Sequence, residues 1–390
     1  MPNFSGIWNL KEQVQAVAAG RWTGLPIFEL YGWGRNLFGG IGDGTIVSRS
    51  SPVQVAGSDW AQVSAGFWLT ASIKTDGTLW AWGYQGSGGG GPISGIGDGT
   101  IISRSSPTQI GALTNWAQVS AGGGRTASVK TDGTLWAWGV NSNRFNRRGA
   151  LGDGTTIDRS SPVQIGALTN WAQVSAGQGH TACVKTDGTL WTWGFGGYGT
   201  LGHNNNANLS SPVQVGALTN WAQVSAGVNH TAAITTSGTL YAWGWGYGGN
   251  LGQGTVISRS SPVQVGALTN WKQISGGEVF HAAIKTDGTL WTWGLGNFGN
   301  LGQGTVISRS SPVQVGALTN WKQASAGRRH IAAVKTDGTF WAWGYGGNGE
   351  LGQGTVISHS SPVQVGALTK WAQAAAGGLH TAALFQDTTN

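Results

Sequence analysis

Four histidines occupy equivalent places in a repeated segment, and imidazole is the side chain best suited to ligate a metal or to move protons near neutral pH. They are His180, His230, His330 and His380. In three other copies the same place is held by Leu69, Arg125 and Phe280. A metal site needs several ligands that converge on one ion, whereas one histidine per repeat disperses them. We therefore expect each imidazole to hydrogen-bond nearby backbone, and we predict no metal and no cofactor.

Aspartates in the repeated sequence GDGT resemble the start of a calcium loop. Asp43, Asp98 and Asp153 take this place, but later copies have Gln253, Gln303 and Gln353 instead. Calcium requires several oxygen ligands, including carboxylates, so these segments are predicted to be glycine-supported turns. The sequence also lacks the G-x-S-x-G and HExxH patterns. We find no catalytic residues and predict that the protein is not an enzyme.

Arginines recur just before a Ser-Ser-Pro sequence in five of the repeats. They are Arg49, Arg104, Arg159, Arg259 and Arg309. A ring of arginines could collect an anionic partner. The alternative is that each guanidinium hydrogen-bonds carbonyl groups of its own loop, which is the interpretation that we favour.

The amino-acid composition further narrows the classes of function that the protein could have. The 390 residues include 69 Gly and 23 Trp, yet only 9% are charged, with a net charge of +7. Because no dense Lys/Arg run occurs, nucleic-acid binding is not indicated. The N-terminal sequence MPNFSGIWNLKEQ lacks the basic and apolar regions of a signal peptide, and no apolar stretch is long enough to insert into a membrane. The single Cys183 excludes an internal disulfide framework.

A repeat of about fifty residues organises the chain. Its Ser-Pro marker places prolines at Pro52, Pro107, Pro162, Pro212, Pro262, Pro312 and Pro362. The copy from Trp221 to Val265 contains four strand-like segments, WAQVSAG, HTAAITT, SGTLYAWG and SPVQV. Most copies have Asp-Gly between the second and third segments, which predicts a hairpin with a type I′ turn. Seven units of four antiparallel strands are typical of a β-propeller.

The two ends of the chain predict how the ring closes. The repeats begin with a third strand, IFELYGWG (27–34), and a fourth, SPVQV (51–55), and they finish with a first and a second strand. Pairing these halves would complete a seventh blade and remove open sheet edges. The predicted fold is therefore all-β, a seven-bladed β-propeller of four-stranded antiparallel blades over residues 27–390, closed by a blade shared between the two termini.

The sequence LWAWG predicts how the blades pack. Trp80 and Trp82 lie on one face of their strand, and Leu79 and Ala81 lie on the other. A bulky face against a small one would let neighbouring blades interlock, with each Trp burying roughly 150–250 Å². The alternative is an exposed aromatic ladder for sugars, which we consider weaker because the motif recurs in nearly every copy.

The combined motif, WAQVSAG, HTAA, KTDGTLWAWG, LGDGT or LGQGT and SPVQV, resembles the regulator of chromosome condensation repeat family over residues 27–387. The resemblance implies a seven-bladed propeller whose terminal strands share a blade. It does not imply one activity, since the family includes a nucleotide-exchange factor and bacterial inhibitors of β-lactamases. The wedge and acidic contacts of the exchange factor are not found in this sequence.

Residues 1–26 precede the repeats and are predicted to form an N-terminal arm with a short helix. Asn9 and Glu12 have the spacing of a capping box, and Leu10, Val14 and Val17 fall on one helical face. The sequence GIWNLKEQVQAVAAGRW resembles a short motif of tailed-bacteriophage structural proteins. Two hypotheses have equal weight: the arm holds the protein in an assembly or homo-oligomer, or it packs against the ring.

Loops after strands one and three should share one face of the ring, because successive strands alternate in direction. These loops differ between copies, whereas the KTDG and GALTN loops of the opposite face recur almost unchanged. Aromatic and Arg side chains are the usual anchors of binding sites. The predicted partner-binding residues are Phe67, Trp68, Arg144, Arg147, Arg148, Trp245, Tyr247, Arg328 and Arg329.

Two function hypotheses follow. The first is a non-catalytic bacteriophage virion component or adhesin that displays the loop face to a virion or host surface protein, or to a surface glycan. The second is a soluble bacterial protein-interaction or inhibitor module in the cytoplasm.

Overall fold

The computed structural model describes residues 27–85, 95–141 and 149–387. These residues form seven four-stranded antiparallel sheets, which are the blades of the predicted propeller. Apart from two short 3-10 turns, Gly197–Gly199 and Tyr247–Gly249, the described elements are strands. Within these ranges, no helix has the length and apolar character needed to cross a membrane. The prediction for residues 1–26 lies outside the described residues.

The strands follow chain order from the axis outward in six of the blades. Blade 1 contains Trp60–Ala65, Leu69–Lys74, Leu79–Gly83 and Arg104–Gln109. Blade 2 contains Trp116–Ala121, Arg125–Lys130, Leu135–Gly139 and Arg159–Gln164. Blade 3 contains Trp171–Ala176, His180–Lys185, Leu190–Gly194 and Leu209–Gln214. Blade 4 contains Trp221–Ala226, His230–Thr235, Leu240–Gly244 and Arg259–Gln264.

The remaining blades complete the circle. Blade 5 contains Trp271–Gly276, Phe280–Lys285, Leu290–Gly294 and Arg309–Gln314. Blade 6 contains Trp321–Ala326, His330–Lys335, Phe340–Gly344 and His359–Gln364. Blade 7 combines Trp371–Ala376 and His380–Asp387 with Ile27–Gly34 and Arg49–Val55. Ile27–Gly34 pairs residue for residue with His380–Asp387, so the predicted closure by both termini is confirmed.

The Asp-Gly hairpins differ from the predicted type I′ turn. In blade 1, the N–H of Gly77 donates to the carbonyl of Lys74 (2.9 Å), and Gly77 has a φ of 78°, but Asp76 is not among the residues with positive φ. Its carboxylate instead accepts hydrogen bonds from the N–H (2.8 Å) and hydroxyl (2.6 Å) of Thr78. The turn is therefore a three-residue type in which only the glycine takes the left-handed conformation.

Packing between blades follows the predicted bulky-on-small scheme. Trp293 of blade 5 is fully buried in a cluster with Leu240 and Ala242 of blade 4. The outer aromatic residue of each third strand, such as Trp291, is half-buried. The Lys285 ammonium lies 3.6 Å from the Trp291 ring centroid. The Lys of KTDG, which we placed in a loop, thus ends the second strand between two indoles and contributes a cation–π contact.

A ring of amides joins the blades around the axis. In each WAQVSAG-type strand the Gln side chain accepts a hydrogen bond from a backbone N–H of the next blade, over 2.8–3.1 Å at all seven junctions. Two residues later, a Ser hydroxyl accepts from another N–H of the next blade, over 2.9–3.0 Å, as Ser325 does from Ala376. Blade 7 has Ala375 in place of this serine. The closing junction therefore keeps its Gln373–Val63 contact but lacks a hydroxyl acceptor for Ala65.

The recurring histidines lie between blades rather than on local backbone, which corrects our expectation. Nε2 of His180, His330 and His380 lies 2.8–2.9 Å from a Thr hydroxyl of the next blade. Because that hydroxyl donates its single hydrogen to a carbonyl, Nε2 of the imidazole is the donor. Burial lowers the pKa of His180 and His330 to about 3 and that of His380 to about 4. At the junction of blades 5 and 6 the pair is Phe280 and Ile331 instead.

The first prediction concerns the closing junction. Ala375→Ser should raise the free energy of unfolding by about 1 kcal/mol, because it supplies the acceptor that the other junctions have. Ser325→Ala should lower it by a similar amount. Urea denaturation of the two variants and the parent protein measures both effects. If Ser325→Ala destabilises the protein but Ala375→Ser has no effect, the closing junction is not built like the others.

The second prediction concerns the stability of the fold at acidic pH. Because the buried histidines have folded pKa values below the unfolded value near 6.5, the unfolded chain binds more protons between these values, and stability falls as pH falls from about 6.5 toward 4. Each such histidine should cost up to about 1.4 kcal/mol per pH unit. The double variant His330→Phe, Thr381→Ile copies the Phe280–Ile331 junction and should reduce this slope. Thermal melting at pH 7, 6, 5 and 4 tests it, and equal slopes for the variant and the parent would contradict it.

Candidate functional site

The loops after strands one and three lie together on one face, which we call the variable face. Phe38 and Tyr84 follow third strands, Trp68 follows a first strand, and all three belong to one aromatic cluster. The Asp-Gly turns meet the GALTN loops on the opposite side, as the hydrogen bond from the N–H of Trp116 to the carbonyl of Gly77 (3.1 Å) illustrates. The strand order thus separates the variable loops from the repeated ones.

The structure joins Phe67, Trp68, Arg328 and Arg329 into one network, which we call the arginine group. Arg328 of blade 6 donates from Nε to Glu278 of blade 5 (3.1 Å), and its guanidinium lies 5.0 Å from the ring centroid of Phe67 in blade 1. The Phe67 ring is 5.1 Å from that of Trp68. One side chain therefore links three blades and passes over blade 7.

Blade 7 leaves room for this contact because its equivalent loop contains Gly378. A Cβ atom at Gly378 would lie 2.4 Å from the carbonyl oxygen of Phe67, so a side chain there would force the two loops apart. Arg329 extends the group in the other direction. It lies 3.5 Å from Glu278 through Nε and 4.5 Å from the Phe298 ring centroid.

Trp245 and Tyr247 form a second and separate set, which we call the tyrosine group. The Trp245 ring stacks on Tyr247 of its own blade (4.9 Å, 15°) and on Tyr198 of blade 3 (5.3 Å, 26°). Tyr198 and Tyr247 are 48% and 52% exposed. The remaining predicted residues, Arg144, Arg147 and Arg148, lie outside the described residues.

The recurring arginines of the Ser-Ser-Pro sequences bind the GDGT side chains, not loop carbonyls as expected. Arg49, Arg104 and Arg159 form ion pairs of 2.7–2.8 Å with Asp43, Asp98 and Asp153. Arg309 donates to the amide oxygen of Gln303 (3.1 Å). Burial raises the pKa of Asp43, but hydrogen bonds from Thr45 and Arg49 outweigh it and lower the pKa overall. The sequence contains this signal, because each Asp or Gln precedes its Arg by six residues.

The residues predicted from the sequence to bind a partner did not include two acidic residues of the variable face, Glu278 and Glu350. Glu278 and Arg328 are equivalent positions of adjacent repeats, so their opposite charges could have indicated the ion pair. Glu350 is 1% exposed and accepts hydrogen bonds from the N–H (2.7 Å) and side chain (3.1 Å) of Asn348. Burial raises the pKa of its carboxyl. Across the residues that the structure describes, no group of three or more His, Cys, Asp or Glu side chains could hold a metal ion.

Two plant proteins are similar in sequence to about half of this chain. The "Ultraviolet-B receptor UVR8" of Arabidopsis thaliana is 34% identical over 203 residues, which are 50% of this chain and 42% of that protein. The mitochondrial "RCC1 domain-containing protein RUG3" of the same plant is 29% identical over 210 residues, or 51% and 45% of the two chains. The matches span less than half the length of these relatives.

A solved structure shares the fold over almost the whole chain. Prp20p of Saccharomyces cerevisiae aligns with a TM-score of 0.80 at 18% identity, over 94% of this chain and 93% of that chain. The family profile described as "Regulator of chromosome condensation (RCC1) repeat" matches residues 29–73, 132–184, 187–234, 237–284, 287–334 and 337–384. These matches cover most of the propeller, and the chain belongs to the regulator of chromosome condensation repeat family.

Proposed function

We propose that this chain is a non-catalytic binding propeller that recognises a protein partner through the arginine group of its variable face. The main observation in support of this proposal is the Glu278–Arg328–Phe67 network, which holds two arginines and two aromatic rings together across three blades. The side chains of Arg328 and Arg329 remain 26% and 33% exposed. Arg and aromatic side chains that are fixed in place and still accessible are the usual anchors of protein interfaces.

Relatives support a protein partner. The structure of Prp20p is described with its binding properties to Gsp1p and histones, and a second yeast structure is of Kap60 bound to RCC1 (Prp20). Gsp1p, histones and Kap60 are named as partners of the yeast protein and are not assigned to this chain. For this chain we infer the class of ligand, a protein, and the surface that binds it.

The third prediction tests the arginine group. Trp68→Ala and Arg329→Ala should each weaken partner binding by about 2 kcal/mol, roughly 30-fold, because they remove anchors from a packed interface. Thr269→Ala is the control, since Thr269 is exposed on the opposite face. Lys285 would be a poor control because its ammonium is packed between indoles. Cross-linking followed by mass spectrometry identifies the partner, and titration with the purified partner measures affinity.

Retention of full affinity by both variants would reject the arginine group. A loss caused by Thr269→Ala alone would place the interface on the repeated face instead. Melting curves within about 2 °C of the parent protein are required for each variant, so that lost affinity is not lost folding.

A narrower proposal rests on residues 1–26 and the sequence alone: the protein is a bacteriophage virion component or adhesin, anchored by its arm. The relatives named above are plant and yeast proteins and do not bear on it. If the arm mediates assembly or homo-oligomerisation, removing residues 1–26 should leave a folded monomer that no longer enters particles or oligomers. If the arm packs on the ring, its removal should lower the melting temperature and leave the size-exclusion profile unchanged.

A further inference from the structure

The tyrosine group differs from the arginine group in its chemistry. Residues 195–208 of blade 3 and 245–258 of blade 4 contain no Asp, Glu, Lys or Arg. They contribute three stacked rings and, in blade 3, a run of amide side chains. A surface of exposed rings and amides without charge is suited to a ligand that has apolar C–H faces and many hydroxyl groups. We propose that it binds a neutral oligosaccharide.

The ring geometry leaves aromatic surface for such a ligand. Stacked rings in full overlap would be separated by roughly 3.5–4 Å, the contact distance of carbon atoms. The Trp245 centroid is 5.3 Å from that of Tyr198 and 4.9 Å from that of Tyr247, with small interplanar angles. The rings are therefore displaced sideways, and Tyr198 and Tyr247 are exposed to solvent while Trp245 is partly exposed. The C–H face of a pyranose can lie on such a stepped platform.

Backbone conformation supports a role for the Tyr198 ring beyond packing. Tyr198 has φ 62° and ψ 13°, in the left-handed region that a bulky side chain rarely adopts. The corresponding residue of blade 4, Gly248, has φ 68° and ψ 8°. Glycine takes this conformation without strain, so tyrosine is the less stable choice for the turn. Strain of this kind is characteristic of functional sites.

The side chains that would bind the hydroxyl groups of the sugar lie in residues 203–208 of blade 3, just before its fourth strand. Blades 4, 5 and 6 have two exposed aliphatic residues there, as in Val256 and Ile257. Blade 3 has Asn206 and Ala207 at these places, and Asn206 is exposed. A Cβ atom at Gly196 would lie 1.8 Å from the carbonyl oxygen of Ala207 and 3.2 Å from the carbonyl carbon of Asn206. The amide loop therefore packs directly against the loop that carries Tyr198.

The charge distribution favours a neutral sugar over an acidic one. Arg259, the first basic residue after the blade 4 segment, donates to the amide oxygen of Gln253 (3.4 Å). Among the described residues of the variable face, the partly exposed Arg328 and Arg329 pair with Glu278 in the arginine group. A carboxylated or sulfated sugar would require basic side chains at the rings.

The experiment uses the full chain and four hexasaccharides: β-1,4-linked glucose, β-1,4-linked N-acetylglucosamine, α-1,4-linked glucose, and a sulfated heparin fragment. Saturation-transfer NMR detects binding, and calorimetric titration measures affinity. We expect at least one neutral hexasaccharide to bind. Tyr198→Gly, Tyr247→Ala and Asn206→Ala should each weaken it at least tenfold, and Tyr198→Phe should retain it. Tyr345→Ala is the matched control, because Tyr345 is the blade 6 equivalent of Trp245 and packs on Phe298.

Several outcomes would overturn the proposal: no neutral hexasaccharide binds, the heparin fragment alone binds, or Tyr345→Ala weakens binding as much as Tyr247→Ala. Tyr198→Gly should also melt higher than Tyr198→Ala, by roughly 2 °C, since both remove the ring but only glycine relieves the backbone. Equal melting temperatures would remove the strain argument. Trp68→Ala should leave sugar binding unchanged, so the failure of the protein-binding proposal and the failure of this one are distinguishable.

Discussion

Each blade presents one glutamine amide to the backbone of the next blade, and in a ring this contact has to be repeated until the last blade reaches the first. The Gln373 amide meets both backbone groups of Val63 at 3.0 Å, within the range of the other junctions. Because the same contact recurs over 2.8–3.1 Å at all seven junctions, each blade meets its neighbour in the same way. That regularity places loops of one kind on one face, and the possible binding surfaces follow from it.

The junctions show how a repeat can vary without losing this geometry. Three blades have a histidine whose hydrogen bond is accepted by a threonine of the next blade, whereas His230 of blade 4 faces His281 of blade 5, with 4.4 Å between their ring centroids. Blade 5 has Phe280, and blade 6 has Ile331 opposite it. Arg125 makes a third kind of junction by donating to the carbonyl of Gln178 in the next blade (2.9 Å). A buried polar group without a partner would be costly, so both sides of a junction change together.

The variable face carries two surfaces of different chemistry on this common scaffold. The arginine group is charged and bridges three blades, whereas the tyrosine group is uncharged and occupies two. Both surfaces consist of loop residues. The hydrogen bonds between blades involve inner-strand residues and backbone, so the loops can differ in sequence without loss of these bonds. A propeller of this kind can therefore present separate ligand classes from one face without any change in its core.

The number of blades, the order of their strands, the closure by both termini and the division of loops between faces could be predicted from the sequence alone. These properties follow from the period, the alternation of side chains and the incomplete first and last repeats. The three-dimensional structure shows which distant side chains meet: Arg328 with Phe67, Tyr198 with Trp245, and three histidines, His180, His330 and His380, each with a threonine one blade away. It also decided the Asp-Gly turn type. A repeat fixes the contacts within its own blade, whereas contacts between blades and between their loops depend on how the whole ring closes.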